Sequence, residues 1–121
     1  MRKLFILLLF LTSCTWNYYD KLEVDIIAEF TVLDSEGNPI TYENYNVESF
    51  KVKDTPMLRS FAWEIRQTNE NGVLRYYLNQ NIRSGEVIKI CVLEQCSTVE
   101  YWEAASSNKI TKKVTVIDHN Q

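Results

Sequence analysis

The chain has 121 residues, 45% of them apolar and 24% charged, and these values fit one globular domain. Its 13 basic residues are fewer than its 16 acidic ones, so it has no basic excess for binding a nucleic-acid backbone. It contains only three Gly and one His, and that residue, His119, lies close to the C-terminal end. We therefore predict that the protein is not an enzyme and has no metal or cofactor site.

The N-terminus has the order of a secretory signal. Arg2 and Lys3 precede an apolar run from Leu4 to Leu11, and small residues follow it. A helix needs about 20 residues to cross the hydrocarbon core of a bilayer, so this run is too short for a permanent transmembrane anchor. We expect residues 1–13 to be removed as a signal peptide.

The residues Leu11-Thr12-Ser13-Cys14 resemble the lipobox of bacterial lipoproteins, in which an aliphatic residue and two small residues precede an invariant Cys. The resemblance implies cleavage before Cys14 and a diacylglyceryl group on its thiol, so that two or three acyl chains would hold the protein in a membrane. An ordinary cleaved secretory signal is the alternative. Thr15 is not the Asp that commonly marks inner-membrane retention, so we expect an outer-membrane location in the bacterial cell envelope.

Residues 14–21 are then a short tether, residues 22–118 the folded domain and residues 119–121 a tail. The tether contains three aromatic residues, Trp16, Tyr18 and Tyr19. Their rings either lie at the level of the lipid headgroups or pack on the domain.

Alternation of apolar and polar residues, interrupted only by Ile27, predicts a first strand from Glu23 to Leu33. Its apolar face consists of Val24, Ile26, Ala28, Phe30 and Val32. The segment from Asp34 to Pro39 ends the strand, because it combines side chains that cap turns with a Gly and a Pro. This segment fits an ordinary turn better than a calcium loop.

Later turn signals, near residues 37, 55, 71, 84, 94 and 106, predict about seven strands. Phe61, Trp63 and Ile65 alternate before Asn71-Gly72, a dipeptide that is a strong hairpin signal. The apolar positions that follow are Leu74, Tyr76, Leu78, Ile88, Ile90, Val92, Val114 and Val116. We predict an all-β fold, a single antiparallel Ig-like or transthyretin-like β-sandwich. A short helix near 98–105 is the alternative for one segment, because Ser97-Thr98-Val99-Glu100 resembles a capping box.

With Cys14 assigned to the lipid, Cys91 and Cys96 remain as a pair. If the chain turns at Leu93-Glu94, the two Cys face each other with Cα atoms about 4.5 Å apart, which a disulfide tolerates. Neither turn residue readily adopts positive φ, so a four-residue loop is equally compatible. We predict a structural disulfide, with free thiols as the main alternative. The pair has too few ligands for zinc and the wrong spacing for a redox dithiol.

The stretch from Phe30 to Ile40 and the later Thr68-Asn69-Glu70-Asn71-Gly72 resemble the carboxypeptidase regulatory-like domain. Members of this family open with a hydrophobic strand, an Asp and a Gly-Asn-Pro type of turn, and have a later Asn-Gly hairpin. The resemblance implies a transthyretin-like sandwich that serves as an accessory or binding module, and it carries over no catalytic residue.

The strand faces that point away from the core contain a candidate binding surface. Alternation would bring Arg75, Tyr77, Lys89 and Trp102 together beside the Cys pair, and exposed aromatic residues with Arg are typical of binding hot spots. Alternatively, these rings cover a second apolar patch.

These features predict a membrane-anchored envelope lipoprotein that binds a protein or a glycan without catalysis. Two alternatives stay open. One is a structural or assembly subunit of an envelope complex, whose unpaired edge strands a neighbour would complete. The other is a small inhibitor or exclusion lipoprotein that acts on an envelope enzyme or receptor.

Overall fold

The structure is a computed structural model that describes residues 21–52 and 58–121, with the backbone alone for residues 58–62. The predicted signal peptide, Cys14 and the aromatic residues of the tether lie outside the described residues. The turn predicted near residue 55 also lies outside them.

Seven strands form two sheets, which confirms the predicted β-sandwich. In chain order they are β1 (Leu22–Leu33), β2 (Asn44–Val52), β3 (Leu58–Gln67), β4 (Val73–Ile82), β5 (Val87–Val92), β6 (Gln95–Glu100) and β7 (Lys109–Ile117). The first sheet has three strands in the order β4-β1-β7, and the second has four in the order β3-β2-β5-β6. Neighbouring strands are antiparallel except β1 and β7, which run parallel, so the expectation of a purely antiparallel sandwich is wrong for this pair.

The strand β1 is the centre of the three-stranded sheet, and its apolar face forms the middle of the core. The five residues predicted for this face, Val24, Ile26, Ala28, Phe30 and Val32, are each at most 1% exposed. They belong to one cluster with Ile88, Ile90 and Val92 of β5, as predicted. Full burial of a side chain such as Phe30 contributes about 1.5–3 kcal/mol, so this alternation is the main reason that the two sheets pack together.

Two Asx turns lie at the end of the sandwich where β1 ends. The Asp34 carboxylate accepts hydrogen bonds from the backbone N–H groups of Glu36 and Asn38, both at 2.9 Å. The Asn69 side chain accepts two bonds of the same kind, from Asn71 at 2.8 Å and Val73 at 3.0 Å. Both side chains therefore satisfy backbone donors that the chain reversal leaves unpaired.

The turn from Asn69 to Gly72 does not close a hairpin, which corrects the interpretation of its Asn-Gly signal. It connects β3, at the edge of the four-stranded sheet, to β4 in the other sheet. Gly72 has a φ of 75°, and a Cβ atom at this position would lie 2.8 Å from the Pro39 Cβ. Turn residues specify a reversal of the chain, but they do not specify which sheet the next strand joins.

The helical alternative is realised after β6, three residues later than its predicted start. Helix α1 (Tyr101–Ser106) begins where β6 ends at Glu100, and Ser97 is buried within β6 instead of capping the helix. The capping bond comes from Glu103, whose carboxylate accepts the Glu100 backbone N–H at 3.0 Å. The helix carries the chain to the other sheet, and this crossover allows β7 to run parallel to β1. In the part of the chain that the structure describes, no helix has the length and apolar character to span a membrane.

Candidate functional site

The strand β3 turns its apolar side toward solvent. Trp63 is 65% exposed and Ile65 is 58% exposed, although alternating apolar residues usually mark the side of a strand that faces the core. The opposite side of the strand has Glu64, which is paired in register with the fully buried Val47. The apolar and polar sides of β3 are therefore reversed relative to those of the other strands.

Two charged residues lie on the inner side of β3, at the edge of the sandwich, where both stay exposed to solvent. Glu64 and Arg66 form an ion pair at 2.6 Å, and the Arg66 guanidinium lies over the Tyr76 ring, 5.9 Å from its centroid. Inward-pointing charges and bulges are means by which edge strands avoid pairing with other chains. The register of β3 with β2 is also irregular, because it passes from Ala62 to Ser60 without pairing Phe61.

Cross-strand register places Trp63 in a row that spans the whole four-stranded sheet. Trp63 pairs with Glu48 of β2, Glu48 with Cys91 of β5, and Cys91 with Cys96 of β6. Ile65 pairs with Asn46 in the next row on the same face. We call this the outer face of the four-stranded sheet. It combines exposed apolar side chains with amide and carboxylate groups.

A surface cavity of about 580 Å³ lies on this outer face, and its lining residue Glu48 pairs in register with Trp63. Its polar lining comes from Asn44, Asn46, Glu48 and Glu94, and its apolar lining includes Phe50, Leu93 and the disulfide. A volume of this size lies within the range of about 300–1,000 Å³ that is usual for small-ligand sites.

The predicted disulfide between Cys91 and Cys96 forms one wall of the cavity, with a Cα–Cα distance of 4.1 Å. Of the two turn geometries compatible with the sequence, the chain adopts the two-residue turn at Leu93-Glu94. Both turn residues have positive φ, 50° and 65°. The disulfide links β5 to β6 next to the turn. It therefore holds the two turn residues, Leu93 and Glu94, in place in the cavity lining.

Tyr45 also lines the cavity, but its hydroxyl group is committed to another contact. It donates a hydrogen bond of 2.7 Å to the buried Asp118 carboxylate. Burial, together with this hydrogen bond and the negative charges of Asp118 and Glu43, raises the pKa of Tyr45 well above its ordinary value. The hydroxyl therefore keeps its proton and contributes to the structure of the site.

The cavity lies toward the end of the sandwich that is opposite the start of β1. Asp118, which contacts Tyr45 in β2, donates its backbone N–H to the Leu33 carbonyl at the end of β1. At the other end, Leu22 pairs with Ile82. The 12 residues of β1 separate the two ends by about 40 Å at ~3.3 Å per residue.

The four residues predicted as a binding surface do not lie together. Arg75 and Tyr77 belong to β4 in the three-stranded sheet, Lys89 to β5 in the four-stranded sheet, and Trp102 to α1. Because β4 and β5 belong to different sheets, their outer faces point to opposite sides of the sandwich. The prediction that these four residues form a single binding surface is therefore wrong.

Each of these four residues has its own surroundings. Arg75 donates to the Glu29 carboxylate at 2.6 Å, and the exposed Trp102 donates its indole N–H to Glu100. Tyr77 is as exposed as Trp63, at 65%. Lys89 lies on the outer face of the four-stranded sheet, opposite Phe50 and one row from the disulfide.

Sequence reasoning missed the apolar site residues Trp63 and Ile65 and the polar lining residues Asn44, Asn46, Glu48 and Glu94. The alternation of Trp63 and Ile65 correctly indicates a strand, but a strand that faces a core and one that faces a partner have the same pattern. No protein-family model matches the chain, and no curated protein matches it either.

Proposed function

We propose that the protein is a lipid-anchored module of a bacterial envelope that binds a partner through the outer face of the four-stranded sheet, without catalysis. The observation that carries this proposal is the reversed polarity of β3. Exposing Trp63 and Ile65 to water is unfavourable for an isolated domain, and exposed apolar groups of this kind mark binding surfaces.

The anchor is proposed from the lipobox-like Leu11-Thr12-Ser13-Cys14. A lipid on Cys14 would attach the domain to the membrane at the end where β1 begins, so the cavity would lie toward the opposite end. The binding face would then be accessible to other envelope components. The resemblance of the Asp34 and Asn69 turns to those of carboxypeptidase regulatory-like domains also supports a binding module.

The edges of the sheets favour a binding module over a subunit assembled by strand addition. The edge strand β3 has inward charges at Glu64 and Arg66, and the edge strand β6 has only six residues. The edge strand β7 contains three Lys, at positions 109, 112 and 113. Each of these features opposes pairing with a strand from another chain.

Photocrosslinking in living cells tests the proposed surface. A photoreactive benzoylphenylalanine replaces either Trp63 or Tyr77 in the full-length chain; both native residues are 65% exposed, and they lie on different sheets. We expect position 63 to form a discrete adduct and position 77 to form none. Equal labelling from the two positions, or none from either, would contradict the proposal.

The same strains provide the control for the anchor. With Cys14→Ser, the protein should leave the membrane fraction, because it would lack the acyl chains that hold it there. A Cys14→Ser chain that is processed normally and stays in the membrane would show that lipidation is not the anchor.

A further inference from the structure

Four polar side chains that line the cavity have no partners among the described residues, unlike the Tyr45 hydroxyl, which is bonded to Asp118. Within residues 21–52 and 58–121, no hydrogen bond or ion pair engages the side chains of Asn44, Asn46, Glu48 or Glu94. An amide offers both donors and acceptors, and a carboxylate offers acceptor sites on two oxygens. Together these groups complement a ligand rich in hydroxyl groups, each of which donates and accepts.

Trp63 provides an apolar platform beside these groups. It is directly opposite Glu48, and the Cβ atoms of such cross-strand pairs lie about 4.5–5.5 Å apart. The C–H face of a sugar ring is slightly positive, so it stacks on the negative face of an aromatic ring. An exposed indole next to groups that bind hydroxyls therefore suits a pyranose ring.

The charges around the cavity restrict the ligand further. Glu48 and Glu94 line it, and none of its described lining residues is basic; Lys89 lies on the same face, opposite Phe50, but outside the lining. A carboxylate, sulfate or phosphate on the ligand would be repelled by these two carboxylates. The volume of about 580 Å³ suits a short segment of a glycan chain.

We propose that the cavity and Trp63 bind an oligosaccharide without acidic groups, with a sugar ring stacked on the indole and hydroxyl groups bound by Asn46 and Glu48. This inference rests on the proposed function, because it assigns a class of ligand to the same surface.

Isothermal titration calorimetry tests the ligand class on the full-length lipoprotein in a detergent without a sugar headgroup. The neutral probes are tetramers of N-acetylglucosamine, maltose-type glucose and mannose. The glucosamine tetramer is the cationic probe, and tetragalacturonate is the anionic one. We expect at least one neutral or cationic tetramer to bind, and tetragalacturonate not to bind.

Matched variants then connect binding to the site. Trp63→Ala and Glu48→Gln should each weaken binding about tenfold or more, whereas Tyr77→Ala should leave it unchanged. Thermal unfolding checks that all three variants are folded. Failure of every neutral and cationic tetramer to bind, equal binding of tetragalacturonate, or equal effects of Trp63→Ala and Tyr77→Ala would overturn the inference.

The two proposals fail in different ways. If position 63 crosslinks to a protein in cells and no tetramer binds, the surface is a protein-binding site and only the glycan inference is lost. If position 63 forms no adduct and no tetramer binds, the outer face is not a binding surface and both proposals are lost.

Discussion

Leu93 and Glu94 adopt a backbone conformation that neither residue favours. Their φ values of 50° and 65° lie in the left-handed region. For residues other than Gly, Asn and Asp, this conformation is unfavourable by about 1–2 kcal/mol per residue. The turn persists because Val92 pairs with Gln95 next to it and the disulfide closes the following pair. The wall of the cavity thus depends on a locally strained turn.

Replacing this turn by Asn-Gly should stabilise the domain. Two-residue hairpin turns strongly prefer Asn-Gly, so Leu93→Asn with Glu94→Gly should raise the free energy of unfolding by about 1–2 kcal/mol. The gain should appear as an unfolding temperature several degrees higher. Glu36→Gly is the control, because Glu36 lies in an exposed turn without positive φ and should show no gain. An unchanged or lower unfolding temperature for the Asn-Gly variant would contradict the account of strain.

At the scale of elements, helix α1 depends on one carboxylate. Partial burial alone would raise the pKa of Glu103, but the hydrogen bond from Lys112 at 2.6 Å, the bond from the Glu100 N–H and the Lys112 charge together lower it. A lowered pKa in the folded state means that the ionised carboxylate stabilises the fold. This contribution is present above the pKa of the unfolded chain and is lost as the pH falls through the lower pKa of the folded state.

Glu103→Ala should therefore destabilise the protein in a pH-dependent way. At neutral pH we expect a loss of about 1 kcal/mol, the usual value of a helix cap, measured by urea denaturation. The difference from the wild type should shrink as the pH falls through the lowered pKa of the folded state, where the carboxyl group becomes protonated. Glu70→Ala removes an exposed acid and should show no such trend. A constant difference at every pH would mean that the ionised carboxylate is not the stabilising group.

The elements differ in how far the sequence predicts them. The position and burial of β1 are predictable, because this central strand has a buried face that must be apolar along its whole length. The disulfide follows from the pairing of Cys91 with Cys96, whereas their spacing is equally compatible with a two-residue turn and a four-residue loop. The start of α1 is displaced, because Glu100 rather than Ser97 occupies the N-cap position.

The candidate site is less predictable than the core. Alternation identifies β3 as a strand. Which of its two faces points to the core depends on how the strand is placed in its sheet, and therefore on the turns that flank it. The Asn69–Gly72 turn connects strands that belong to different sheets. The sheet that β4 joins is set by its pairing with β1, which is distant in the sequence, so no local pattern indicates it. For the same reason, Arg75 and Tyr77 lie away from Lys89.

At the scale of the whole molecule, the two sheets present different outer surfaces. On the outer face of the three-stranded sheet, which also has the exposed Tyr77, carboxylates are paired: Arg75 binds Glu29 at 2.6 Å and Asn79 binds Asp25 at 2.5 Å. The outer face of the four-stranded sheet has an exposed Trp63 and a cavity in which the side chains of Asn44, Asn46, Glu48 and Glu94 have no partners among the described residues. This asymmetry is the basis of the proposed function.

Hydroxyl-radical footprinting of the native protein in isolated envelopes tests this central claim most directly. Trp63 and Tyr77 have equal exposure on opposite sheets, so each serves as the reference for the other. We predict that both residues are oxidised in the purified protein, and that only Trp63 becomes protected in the envelope. An unchanged ratio of Trp63 to Tyr77 oxidation between the two preparations would contradict the account.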